Sequence, residues 1–547
     1  MNRPHVVLLV SCVIALSGCK PTPDAPVDKA DAAPEKGEAK APAKAAIPGD
    51  LDLVILNGRV MDPETKLDAV RNVGVKDGKI VAVTEEAIEG KETIDASGHV
   101  VAPGFIDTHS HNVSSPFGQK LALRDGIATA LEIEAGVYPV DLWYGHWEGK
   151  SQTNFGATVS VMNIREILFN PDYKPRDPAV NGAAICGLLD PIDSHATMAW
   201  STQVATGEQI EQMKSMLDEG LKQGALGVGH TPGYEEFGIT TRESVLAQQM
   251  AGKYGRLVGM HGRFSSQQPP TSGLLGTAEQ LAAVAAHGGG LIVQHMTAQC
   301  LALSADCQAL LDAAYAKGHQ TIAEIYAYTY GATIVGADYL KPDNYQKNMG
   351  RTYSDIVEVA TGKPLTEARY EKLVKTAPST SVTFENASKE DLYKALAHPT
   401  STIGSDSFPY VMKADGSPAT DWDTPFDAVN GHPRGAATYA RILQLVREEN
   451  LMQLMLAISK MTYMPAKFLQ DNGVARMANK GRIQEGADAD ITIFDPATVK
   501  ANATPKDGGL PSTGIPYVVV NGTVIVKDSK VLKDVYPGRP IRNAAQN

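Results

Sequence analysis

The chain has 547 residues, 43% of them hydrophobic and 20% charged, which is globular composition and length enough for one large domain plus a smaller one. Its net charge of −12 at pH 7 argues against nucleic acid or anionic lipid as the main partner. Five cysteines are too few to staple a core of this size.

Residues 1–18 read as an export leader. Arg3 precedes an apolar run at 6–16 that is too short to span a bilayer as a permanent helix. The run ends in Leu16-Ser17-Gly18-Cys19, which resembles a bacterial lipobox with Cys19 as the lipidated first residue; plain signal-peptidase cleavage is the alternative. Lys20 follows rather than Asp, so the expected place is the outer membrane, facing the periplasm, with membrane contact through the lipid alone. Residues 19–49 are mostly Ala, Pro, Lys, Asp and Glu, which cannot bury enough apolar surface to order and read as a tether. Cys300 and Cys307, in an exported chain, could pair or remain free thiols.

Short alternating strands follow at 51–60, 73–75, 80–83 and 99–102, and the same texture returns at 490–494, 517–520 and 523–526. Val520-Asn521-Gly522-Thr523 is a hairpin turn signal. Both ends together predict one composite β-sandwich from 50–102 plus 484–540. Between them, 103–483 alternates apolar strand-like runs (225–229, 257–260, 291–294, 321–325, 401–403) with helical periodicity at 209–223 and 277–286. That texture predicts an α/β fold, a (β/α)8 TIM-type barrel, with a helical insertion at about 340–400.

The chemistry-bearing residues fall at predicted strand ends. In Gly104-Phe105-Ile106-Asp107-Thr108-His109-Ser110-His111, the i, i+2 spacing on extended chain points both imidazoles to one face. His261, His295 and Asp406 each follow an apolar run, where barrel sites are built. Glu132 and Glu134 lie inside an apolar run, where an unpaired carboxylate is costly and a metal would relieve it; an exposed salt bridge is the alternative. Imidazole with carboxylate suits one or two Zn²⁺ ions ahead of other divalent metals.

The order His-x-His, two separated histidines, then Gly404-Ser405-Asp406 resembles the amidohydrolase superfamily. So do Val101-Ala102-Pro103-Gly104-Phe105-Ile106-Asp107-Thr108-His109 before the barrel and Gly481-Arg482-Ile483-Gln484-Glu485-Gly486-Ala487-Asp488-Ala489-Asp490 after it. Within it the likeness is to N-acyl-D-amino-acid deacylases, carried by Gly224-Ala225-Leu226-Gly227-Val228-Gly229, Tyr326-Ala327-Tyr328-Thr329, Gly431-His432-Pro433-Arg434 and Lys460-Met461-Thr462-Tyr463-Met464-Pro465-Ala466. The resemblance implies metal-dependent hydrolysis of a non-peptide C–N amide in a small N-acyl amino acid. A dipeptidase, cyclic amidase or lactonase on the same barrel, or an inactive tethered binding protein, are the alternatives. It further implies His109, His111, His261 and His295 as metal ligands, with Asp406 as ligand and general base. Arg434, Tyr326 or Tyr328 is expected to hold a substrate carboxylate, with a structural ion pair as the alternative for Arg434. The family's bridging cysteine after the second strand is missing; Ile133-Glu134-Ala135-Gly136 stands there, so Glu134, ahead of Glu132, is the expected bridge.

Overall fold

The structure is a computed structural model that describes residues 49–170, 199–347 and 349–545. The leader, Cys19 and the tether up to residue 48 lie outside the described residues, as does Cys186. Among the described residues, no helix is long and apolar enough to cross a membrane.

Eight parallel strands form the barrel: Phe105–Asp107, Ile127–Val137, Asn154–Ser160, Gly227–His230, Leu257–Met260, Gly290–Val293, Thr321–Ile325 and Ser401–Ile403, each hydrogen-bonded to the next. They are buried along their whole length, as parallel strands covered by helices must be. The eighth and first strands meet without a ladder. Their seam is closed just beyond the strand ends by His111 N–H donating to Ser407 O (3.1 Å) and Ser407 N–H to His109 O (3.3 Å). Tyr439 Oη lies 2.9 Å from Ile106 O and 3.3 Å from Ile403 O, so one hydroxyl spans the same seam. The seam therefore forms through the very segments that carry His109, His111 and Asp406.

The two β-rich ends are joined, their strands hydrogen-bonded into one connected nine-stranded sheet. Val100–Pro103 causes this: it pairs parallel with Leu51–Asp62 and antiparallel with Ile491–Phe494, stitching the N-terminal strands to the C-terminal ones. Leu53, Ile55, Val73, Val75, Ile491, Ile493 and Val519 share the resulting apolar cluster. The expected hairpin is present, Val520 opposite Thr523, with Asn521 (φ 47°) and Gly522 (φ 82°) both left-handed as a type I′ turn requires.

The insertion expected to be helical over about 340–400 is instead built on a four-stranded antiparallel sheet: Tyr330–Ile334, Ile356–Glu358, Lys363–Pro364 and Ser381–Glu385. Ser381–Glu385 alternates half-buried and buried residues, the period of a strand with one face on the core. Helices Glu367–Thr376 and Lys389–Ala397 flank that strand, and their 3.6-residue period dominates the segment in sequence. Cys300 and Cys307 are joined as a disulfide, five residues beyond His295.

Candidate metal centre

His109 and His111 leave the first strand together, and their Nε2 atoms converge to 3.2 Å. Each ring is fixed from behind. His109 Nδ1 meets Glu324 Oε2 at 2.8 Å and His111 Nδ1 meets Glu132 Oε2 at 2.7 Å. His261 follows the fifth strand and His295 the sixth; His261 Nδ1 lies 2.9 Å from His295 Nε2.

Glu134 stands between the two pairs. Its Oε2 is 3.3 Å from the Nε2 of both His109 and His111. Its Oε1 is 3.1 Å from His261 Nδ1 and 2.7 Å from His295 Nε2. A break in the second strand puts it there: pairing with the third strand runs to Glu132 opposite Ala157 and resumes only at Val137 opposite Val159. The slack turns through Gly136 (φ 67°), where a Cβ would stand 2.7 Å from Thr158 Oγ1, so glycine is needed on both counts. Glu132 Oε1 accepts Ala135 N–H at 3.1 Å and folds the bulge back on itself. Thus of the two carboxylates on this strand, Glu134 faces both histidine pairs and Glu132 faces the back of His111.

Asp406 completes the group. Its Oδ1 is 3.4 Å from His109 Nε2 and 3.6 Å from His111 Nε2, while Oδ2 is ion-paired with Arg434 Nη1 at 2.8 Å. Asp406 (φ 49°) and His295 (φ 32°) both occupy the left-handed region, a cost of order 1–3 kcal/mol each that the surrounding structure must hold in place.

All these side chains are buried, so their charge is uncompensated by water. Four buried carboxylates (Glu132, Glu134, Glu324, Asp406) lie against the histidines, and of them Asp406 is paired with a guanidinium, that of Arg434. Burial alone would push His109 and His111 down. For His109, Asp406, Glu134 and Glu324 outweigh it, and for His111, Glu132 does so with Asp406 and Glu134; both imidazoles rise well above their ordinary value. A cluster that pulls protons onto buried imidazoles is one that a cation fits. Two donor sets, His109–Glu134–His295 and His109–His111–Asp406, have ligand atoms within 4.8 Å of one another. Nitrogen and carboxylate donors without a thiolate suit zinc or a similar divalent ion.

The remaining expected residues divide. Arg434 and Tyr326 line the small chamber over the cluster, with the guanidinium 4.7 Å above the Tyr326 ring. The ion pair to Asp406 is the alternative raised for Arg434 from sequence; its Nε, however, has no hydrogen-bond partner among the described residues. Tyr328 does not line the chamber. Its ring lies against Arg441 and His432. Glu324 was missed in sequence, although a carboxylate inside the apolar run Thr321–Ile325 carries the same signal as Glu134.

Comparison with known proteins supports this picture. The family model described as amidohydrolase family matches residues 394–526. The N-acyl-D-glutamate deacylase of Alcaligenes xylosoxydans xylosoxydans is 27% identical over 526 residues, covering 90% of this chain and 97% of the relative. The D-aminoacylase of the same organism is 24% identical, covering 87% and 94%. The crystal structure of N-acyl-D-glutamate deacylase from Bordetella bronchiseptica, complexed with zinc and a phosphonate inhibitor that mimics the tetrahedral intermediate, superposes with a TM-score of 0.70. It is 24% identical and covers 90% of this chain and all of that one. By fold, by the order of its site residues and by these likenesses, the chain resembles the amidohydrolase family and, among its relatives, the N-acyl-D-amino-acid deacylases.

Proposed function

We propose that this protein is a metal-dependent hydrolase of the C–N amide bond in N-acyl-D-amino acids. The observation that carries the reading is Glu134, whose two oxygens each face a histidine pair, with Asp406 beside one of them. His109, His111, His261, His295, Glu134 and Asp406 are the residues that hold metal. A divalent ion held there supplies Lewis acidity toward an amide carbonyl and an attacking water.

The chain's own residues do the rest. Arg434 occupies Asp406 Oδ2, which leaves Oδ1, on the histidine side, to take the proton of the attacking water. The same oxygen delivers that proton to the leaving nitrogen, so the amine departs neutral. Arg434 Nε, the unpartnered donor over Tyr326, serves the substrate's α-carboxylate. The buried walls of the chamber keep bulk water from the reacting bond.

The test is an assay of the zinc-loaded protein against N-acetyl-D-amino acids, N-acetyl-L-amino acids, L-dipeptides, cyclic amides and lactones. Release of D-amino acid above all other products is expected. Turnover confined to dipeptides, cyclic amides or lactones overturns the reading.

We also propose export and lipidation at Cys19. The apolar run, the small residues before Cys19 and the Cys300–Cys307 disulfide, which an oxidising compartment maintains, support it. Incorporation of labelled palmitate that is lost in Cys19→Ser is expected.

A further inference from the structure

The inserted sheet meets the barrel through its edge. Tyr330–Ile334 stands at the end of the four-stranded order and pairs on one side only, with Ser381–Glu385. Asn386 N–H donates to Thr329 O at 3.1 Å and Val335 N–H to Thr380 O at 2.9 Å, so the odd-numbered residues turn their backbone groups to the partner strand. Antiparallel ladders alternate, and the carbonyls of Tyr330 and Ala332 therefore face the open edge. An edge of that kind is a row of acceptors in need of donors.

Side chains of Gly431-His432-Pro433-Arg434 supply the donors. His432 Nε2 lies 2.8 Å from Tyr330 O, and Arg434 Nη2 donates to Ala332 O at 3.3 Å. His432 Nδ1 accepts the backbone N–H of Arg434 at 3.0 Å. An imidazole that accepts at Nδ1 carries its proton on Nε2, so the ring is neutral and donates to Tyr330 O. Arg434 opens the helix Arg434–Glu449, and the N–H that His432 takes is one that the helix itself leaves unsatisfied. The buried imidazole packs on the Tyr330 ring at 4.4 Å, and Tyr410 Oη donates to the His432 carbonyl at 2.9 Å. His432 does not line the chamber, but Arg434 does, with Nη1 on Asp406 Oδ2 at 2.8 Å. An unbroken path of polar contacts thus runs from the sheet edge through His432 and Arg434 to Asp406. A free arginine side chain carries about 2 kcal/mol of rotamer entropy; here its backbone and its fork are both tied to one strand.

We infer that His432 is a positioning residue for the general base: by tying Arg434 to the edge of the inserted sheet, it fixes which oxygen of Asp406 is held and which is left facing the histidines. This rests on the deacylase reading, in which Asp406 moves the proton.

The experiment uses the zinc-loaded full chain and the N-acetyl-D-amino acid that the unmodified protein turns over fastest. His432→Ala is expected to lower kcat/KM by roughly 10- to 100-fold, the order of loss when a reacting group shifts by about an ångström, with zinc content unchanged. His432→Asn keeps an acceptor for the Arg434 N–H, and His432→Gln keeps a donor toward Tyr330 O; each should fall between His432→Ala and the unmodified protein. In an Arg434→Lys background the single ammonium replaces the fork, so His432→Ala should cost no more than about twofold further. The crystal structure of His432→Ala should show the Arg434–Asp406 contact broken. Activity of His432→Ala within about twofold of the unmodified protein overturns the inference. So do equal losses in the Ala, Asn and Gln variants, which would leave ring packing as the whole role, or the same loss in both Arg434 backgrounds. Should His432→Ala fail to fold, the Asn and Gln variants carry the same comparisons. If no N-acyl amino acid is turned over, the deacylase reading fails and the variant structures decide for His432: a displaced Arg434 sustains the positioning role, and an unmoved one overturns it.

Discussion

The two histidine pairs that share Glu134 are anchored in different ways. His109 and His111 each rest their Nδ1 on a buried carboxylate supplied by a barrel strand, Glu324 from the seventh and Glu132 from the second. That contact fixes tautomer and ring plane and turns both Nε2 atoms inward. In the other pair, His295 Nδ1 has no hydrogen-bond partner among the described residues, and His261 faces the cluster through Nδ1 with its ring packed on Tyr234 and Tyr339. The first pair is preorganised by the barrel itself. The second is held by packing, and part of that packing comes from the inserted sheet that also walls the chamber. A divalent ion would be held more firmly at the first pair than at the second, where the ligands depend on packing.

The largest effect that would break this comparison comes from deleting one pair at a time. His109→Ala with His111→Ala removes the anchored pair, which also belongs to both donor sets through His109. Activity should fall below detection and metal content should approach zero. His261→Ala with His295→Ala should leave about one equivalent of metal per chain, since the anchored pair and Asp406 remain. Equal metal loss in the two double variants would show that the pairs are not distinct.

Glu134→Gln tests the link between the pairs. The amide nitrogen cannot accept, so one histidine pair loses its shared oxygen. Metal content should drop by about one equivalent, and turnover should fall by more than the roughly 10- to 100-fold that an outer hydrogen bond is worth. Unchanged metal content would mean that the pairs act independently. Asp406→Asn should act differently: metal is largely retained while turnover falls roughly 10² to 10⁴-fold, because the shape survives and the base does not. A near-normal rate places the base elsewhere.

The anchored pair was also the more legible one in sequence. Two histidines at i, i+2 after Phe105-Ile106-Asp107 carry their own geometry, because extended chain aligns them whatever the rest of the fold does. His261, His295 and Asp406 stood out by following short apolar runs, a weaker signal that gains force only from repetition at several strand ends. Glu134 was visible because an isolated carboxylate in an apolar strand demands a partner. Choosing it over Glu132 needed the bulge after Glu132, which depends on how the second strand pairs with the third. The chamber walls were not visible at all. Tyr234, Tyr339 and Phe384 are ordinary aromatics in separate segments, and they converge only because the inserted strands fold back over the barrel mouth. The insertion was misread for a related reason: strong local helical periods on either side hide a five-residue strand whose partners are distant in sequence.

The smallest expected effect sharpens the comparison most, since it probes the anchors without touching the residues assigned to hold metal. Glu132→Gln and Glu324→Gln keep the size of each side chain but replace a charge-assisted contact to His111 or His109 with a neutral one. Neither anchoring contact is made directly to the pair His261 and His295. Glu324 Oε2 does accept His295 N–H at 2.9 Å, so its variant can reach the sixth strand through the backbone. Each variant should therefore weaken metal binding 10- to 100-fold at the anchored pair. Glu132→Gln should leave the affinity at the second pair unchanged, and Glu324→Gln should lower it slightly. Competitive chelator titrations that resolve two affinities per chain read this directly. Two steps that become one in Glu132→Gln, because the tighter affinity has fallen to meet the weaker, are the expected signature. Loss of the weaker step alone would mean that the preorganised pair is the other one, and the anchoring carboxylates do not set the order of binding.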